Sequence, residues 1–194
     1  MKHLAALLAV LLLAGCASTP APRGGQTAAL LSDWQLNGRV SLTRGEEGWH
    51  ASLRWQEQAD SYFLKISGPL GQGGFQLNGD GHGVVLVDAD GQTFAARDAD
   101  ALLQQVTGWQ LPVTGLRYWI RGLPAPAAGE AEARRDESGQ LSQLSQSGWI
   151  IKYNRYQLVN GISLPGKLQL LHDDISVRVV VDKWELGAVT PRLP

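Results

Sequence analysis

The chain has 194 residues, with 17 basic and 18 acidic side chains for a formal charge of −1, and 44% of its residues are hydrophobic. So balanced a charge, with no basic stripe along the sequence, argues against nucleic acid as a partner and against strong steering to anionic lipid, and a single cysteine excludes an internal disulfide. A domain of this size therefore relies on a hydrophobic core.

The start, "MKHLAALLAVLLLAGCASTP", places Lys2 before an apolar run from Leu4 to Leu13 and small residues before Cys16. That is the layout of an export signal, and the run is too short to span a bilayer. Leu13-Ala14-Gly15-Cys16 resembles the bacterial lipobox, so residues 1–15 are expected to be removed and Cys16 to carry lipid. Ala17 then favours the outer membrane over the inner one. Residues 16–27, rich in Pro, Gly, Ser and Thr, are expected to form a flexible tether, and residues 28–194 the domain. Several acyl chains on one cysteine anchor stably.

"TAALLSDW" predicts a short helix leading into the domain. From Trp34 the period becomes two: Trp34, Leu36, Gly38, Val40 and Leu42 alternate with polar residues, "RGEEG" turns, and Trp49, Ala51, Leu53 and Trp55 alternate in the same way. A third strand carries Tyr62, Leu64 and Ile66. It runs into "GPLGQGG", a glycine-rich turn that presents Pro69, Leu70 and Gly71. Apolar Leu70 is either tucked under its loop or held outward.

Further strands are expected in "GFQLNG", "GVVLVD", "QTFAAR", "SGWIIKYN", "RYQLVNG", "KLQLLH" and "ISVRVVVDKWEL". Two helices interrupt them. Asp98 caps the first, Gly108 ends it, and Ala99, Leu102, Leu103 and Val106 share a face. In the second, Pro112 suits the first turn, Val113, Leu116 and Ile120 share a face, and Gly122 with Pro124 stops it. Residues 124–139 read as a polar loop. Antiparallel strands with one apolar face need a cover, which the helices can supply.

No catalytic pattern stands out. His50, His82 and His172 read as surface histidines, and no metal-binding, thiol-redox or nucleophile-elbow motif occurs. "GPLGQGG" lacks the Lys and Ser/Thr of a phosphate loop. The acids mostly occupy turns. No enzyme, cofactor or metal is therefore expected. Seven tryptophans, of which Trp34, Trp49 and Trp55 share the leucine face, point to a large apolar interior.

The pieces "WQLNGRV" (34–40), "SLRWQ" (52–56), "SGPLG" (67–71), "LPVTGLRYWIRGLP" (111–124), "QSGWIIKY" (146–153), Leu164-Pro165 and Trp184, together with the lipobox cysteine, resemble the LolB family in order and spacing. The resemblance implies a half-open antiparallel β-barrel covered by a helical lid over an apolar cavity. It implies an outer-membrane lipoprotein, facing the periplasm, that accepts lipoproteins from the periplasmic carrier LolA and inserts them into the membrane without nucleotide. Its implied partners are LolA, acylated lipoprotein cargo and outer-membrane phospholipid; a monomer is expected.

On that basis Trp34, Leu36, Val40, Trp49, Leu53, Trp55, Leu64 and Ile66 are candidate acyl-cavity residues. Leu102, Leu103, Val106, Leu116, Trp119 and Ile120 are candidate lid residues, and Leu70 matches the family's exposed apolar loop residue. The competing reading is an assembly lipoprotein that binds a protein partner through the same apolar surface.

Overall fold

A computed structural model describes residues 28–69 and 73–187. The expected signal segment, Cys16, the tether, and Leu70 and Gly71 lie outside the described residues. Eleven strands form one antiparallel sheet: β1 (Asp33–Arg44), β2 (Glu47–Gln58), β3 (Ser61–Ser67), β4 (Gly74–Gly79), β5 (Val84–Asp88), β6 (Thr93–Ala96), β7 (Ala131–Arg135), β8 (Leu141–Gln146), β9 (Trp149–Val159), β10 (Ile162–His172) and β11 (Ile175–Leu186). Their order is β6-β5-β4-β3-β2-β1-β11-β10-β9-β8-β7. Every neighbour in space is a neighbour in sequence except the β1–β11 pair, which joins the first strand to the last. β6 and β7 are unpaired edges, so the sheet curls without closing and forms the half-open barrel.

Alternation drives the architecture. The burial of β1 alternates from Trp34 through Leu36, then Val40 to Leu42, and β2 matches it with Ala51, Leu53 and Trp55. Leu36 lies opposite Trp55 and Leu42 opposite Trp49, so the two strands present one apolar face. Register shifts at Asn37/Gly38 and around Pro165–Lys167 interrupt the β1–β11 and β9–β10 ladders. At Gly38 the backbones of β1 and β11 come so close that a Cβ would collide with the Val180 carbonyl oxygen.

Helices α1 (Ala99–Thr107) and α2 (Val113–Trp119) cover the apolar face. Asp98 caps α1 by accepting from the Ala101 amide at 2.8 Å, and Gly108 ends it in the left-handed conformation at φ 77°. Pro112 precedes α2, and Gly122, at φ 78°, lets the chain leave. Both helix expectations match. One buried cluster runs from Trp34 and Leu36 through Leu77 and Leu86 to Leu103, Trp119, Ile151 and Val179.

Two expectations need correction. Residues 124–139 are not all loop: β7 pairs with β8 there, and every residue of β7 is exposed, so no apolar period marks it. Charged Glu132, Arg134 and Arg135 suit an edge strand, where they discourage pairing with another chain. "SGWIIKYN" and "RYQLVNG" are one strand, β9, whose alternation breaks at exposed Asn154 and Arg155 opposite the irregular part of β10. The short helix expected in "TAALLSDW" lies partly outside the described residues; in the described part Ala28 is helical, the Leu31 amide donates to the Ala28 carbonyl and both side chains are buried.

Candidate functional site

The apolar face of β1–β4 and the underside of the helices enclose the candidate site. A cavity of about 170 Å³ lies between Val40, Leu42, Trp49, Ile66 and Phe75 on the strands and Thr107 at the end of α1 with Trp109 and Leu111 between the helices. Its lining is mostly hydrocarbon and aromatic, with no ionisable side chain, so it suits an apolar ligand. It is little larger than the apolar cavity of about 150 Å³ known to take up benzene, so the helices fill most of the interior in this state.

Among the expected cavity residues, Val40, Trp49 and Ile66 line this space. Trp34, Leu36, Leu53, Trp55 and Leu64 point to the same face and are buried in the cluster beside it. Of the expected lid residues, Leu102, Leu103, Trp119 and Ile120 are buried and Val106 and Leu116 are partly buried against the core. Pro69 is exposed, and the Gly68 amide donates to the Gly73 carbonyl across the base of the loop. Cys16, Leu70 and Gly71 lie outside the described residues.

The two helices are held differently. The C-terminal end of α2 is fixed by buried polar contacts: Trp119 Nε1 donates to Gln146 Oε1 at 2.8 Å, and the Tyr153 hydroxyl donates to the Trp119 carbonyl at 2.9 Å. Gln146 also accepts from the Ala125 amide and donates to the Ala125 and Gly129 carbonyls, so its amide is fully engaged. Toward the barrel, Arg117 of α2 donates to Glu57 Oε1 from Nε at 2.8 Å and again from Nη2, and its guanidinium lies 4.5 Å from the centre of the Tyr62 ring. Arg121 donates to the carbonyls of Ala28 and Leu31 and lies over the Trp34 and Tyr118 rings.

This cluster is tense electrostatically. Glu57 is 7% exposed, its Oε2 has no hydrogen-bond partner among the described residues, and burial raises its carboxyl above the ordinary value despite Arg117. Burial likewise lowers Arg121, and it pushes the Tyr62 phenol up to about 12. Among the described residues α1, in contrast, is joined to α2 by one polar contact, the Thr114 amide donating to Asp100 at 3.0 Å, and otherwise rests on apolar packing. Sequence reasoning missed Glu57, Arg117, Arg121 and Gln146. The available signal was Glu57's phase: it continues the inward series Leu53, Trp55, where a charge is out of place.

Comparison with known proteins places this geometry. The family model described as "Outer membrane lipoprotein LolB" matches residues 32–184. A relative from Nitrosococcus oceani named outer-membrane lipoprotein LolB is 38% identical, covering 93% of this chain and 96% of its own. Another of that name from Cellvibrio japonicus is 36% identical, covering 96% and 99%. Among solved structures, a LolA superfamily protein from Nitrosomonas europaea superposes with a TM-score of 0.56 at 9% identity, covering 88% of this chain and 96% of that one. A DUF1329 family protein from Desulfovibrio piger gives the same TM-score at 8% identity, covering 87% and 94%. These structural likenesses show the fold, and the sequence matches show the family.

Proposed function

Because the chain belongs to the LolB family of outer-membrane lipoproteins, we propose that it accepts acylated lipoproteins from the periplasmic carrier LolA, shelters their acyl chains under α1, and releases them into the outer membrane without nucleotide. One acyl chain of about sixteen carbons in water costs on the order of 12 kcal/mol at roughly 0.8 kcal/mol per methylene. Crossing an aqueous compartment therefore requires an apolar shelter. The observation that carries the reading is the apolar cavity under a helix held mainly by apolar contacts.

The energetics favour reversible loading. Opening α1 exposes Leu102 and Leu103 at about 1.5 to 3 kcal/mol each, and an incoming acyl chain that takes their place restores buried apolar surface. A near-balanced exchange needs no chemical energy source. Direction then follows from rising affinity along carrier, receptor and bilayer. α2, fixed by Gln146, Tyr153 and Glu57, serves as the frame against which α1 moves. Leu70, in the segment that follows β3 in the sequence, is assigned to the step in which cargo meets the bilayer; a single leucine biases insertion without anchoring the protein.

A fluorescent fatty-acyl probe titrated into the non-acylated chain tests this reading. Saturable uptake, with a blue shift of probe emission, is expected. No uptake favours an assembly lipoprotein that binds a protein through its apolar surface.

A further inference from the structure

The face of the sheet turned away from the helices is unevenly charged. Lys65 of β3 lies directly opposite Arg54 of β2, and Lys167 of β10 lies directly opposite Arg155 of β9. Like charges in directly opposed pairs destabilise a sheet. Between these pairs stand Arg178, whose neighbour Gln169 faces Lys152 on the far side, and Arg39. Of these cations, and among the described residues, only Arg39 is neutralised, by Asp182 at 2.7 Å. Every Asp and Glu side chain of the sequence falls within the described residues, and none makes an ion pair with Arg54, Lys65, Lys152, Arg155, Lys167 or Arg178. A chain of net charge −1 thus gathers a band of unneutralised cations on one face, at a cost to its own folding.

This band continues to the base of the loop after β3. Gly68 and Pro69 overhang it, and together with Arg39, His50 and Arg178 they bound a groove of about 480 Å³. The apolar cavity lies on the other face of the same strands: Val40 borders both spaces, and Ile66 on the inner side is followed by Ser67 on the outer. Arg178 of the cation band and the apolar cavity therefore meet at this groove, with Val40 between them.

We infer that this outer face docks on the net anionic, phosphate-bearing surface of a phospholipid bilayer and so turns the cavity end of the barrel toward the membrane. The chain length outside the structure supports that occupant. Residues 17–27 separate Cys16 from the first described residue, Ala28, and reach at most about 40 Å at 3.3 to 3.6 Å per residue. A lipid-anchored domain is never farther than this from the bilayer, so the effective concentration of phosphate is high and a weak cationic face is occupied. The inference rests on the membrane attachment of the proposed function and not on cargo transfer.

The test uses the mature chain with Cys16→Ala, which removes the acyl anchor and leaves the whole sheet intact, sedimented with phosphatidylcholine vesicles with and without phosphatidylglycerol. Binding that requires phosphatidylglycerol and fades with added salt is expected. Arg54→Gln with Lys65→Gln, and Lys152→Gln with Lys167→Gln, each lower the partition about fivefold per charge removed. Lys183→Gln, whose lysine is paired with Glu185 at 2.6 Å, leaves it unchanged. Thermal unfolding shows the paired variants folded and no less stable than the parent, since they relieve or leave untouched the repulsion. Acyl-probe uptake on the same samples reports separately on the cavity, so its loss counts against the proposed function and not against this docking face. Absence of phosphatidylglycerol-dependent binding, or binding indifferent to both paired variants, overturns the inference. So does unchanged vesicle binding combined with lost transfer from the carrier, which assigns the face to an acidic protein.

Discussion

Arg117 on α2 donates to Glu57 on the inner face of β2 at 2.8 Å, and this ion pair lies between the helical cover and the barrel wall. Burial holds Glu57 above its ordinary carboxyl value even with Arg117 beside it. A carboxyl raised by folding favours its protonated form in the folded state. Its contribution is therefore greatest at low pH and declines as pH climbs from the ordinary carboxyl range through the raised folded value. Arg117→Met removes the counter-charge and raises that value further. The variant should lose about 3 kcal/mol at neutral pH, and the loss should shrink as pH falls through the carboxyl range, as read by urea unfolding across pH.

Gln146 answers two buried donors, the Trp119 indole and the Ala125 amide. Gln146→Leu orphans both, and at roughly 1 to 3 kcal/mol for each it should cost at least about 2 kcal/mol in chemical unfolding. Because Gln146 fixes α2 and not α1, acyl-probe affinity should change less than stability does.

Val40 borders the apolar cavity. Val40→Phe extends into that space, so it should keep the melting temperature within a few degrees of wild type while weakening acyl-probe binding by about tenfold. Equal weakening of stability and binding would mean that the side chain had displaced the wall instead of filling the space.

Gly38 sits where β1 and β11 approach each other at the bulge. Gly38→Ala must push the backbones apart and should cost about 2 kcal/mol in unfolding free energy. Gly45, in the β1–β2 turn with open space around it, provides the contrast: Gly45→Ala should cost only the strain of its positive φ.

Much of this was legible because sheet and helix leave different periods. Trp34 to Leu42 and Trp49 to Trp55 alternate cleanly, and Asp98 with Gly108 marks both ends of α1 through capping chemistry that is local in sequence. β7 was hidden because all its residues face solvent and only its pairing with β8 makes it a strand. The continuity of β9 was hidden by adjacent exposed residues, Asn154 and Arg155, at an irregularity set by its partner β10. In the candidate site, Val40, Trp49 and Ile66 reach the cavity while Leu36 and Trp55 fill core, and position along the barrel separates them although phase does not. The ion pair of Glu57 with Arg117 joins residues 60 apart in the chain, so no local pattern announces it.

The most direct measurement loads LolA with an acylated lipoprotein, mixes it with this chain in the presence of liposomes, and follows the cargo for wild type and Leu70→Glu. Cargo should leave the carrier for both forms and reach liposomes only with wild type. Cargo that stays on the carrier with both forms, or that reaches liposomes equally well with Leu70→Glu, would contradict the account.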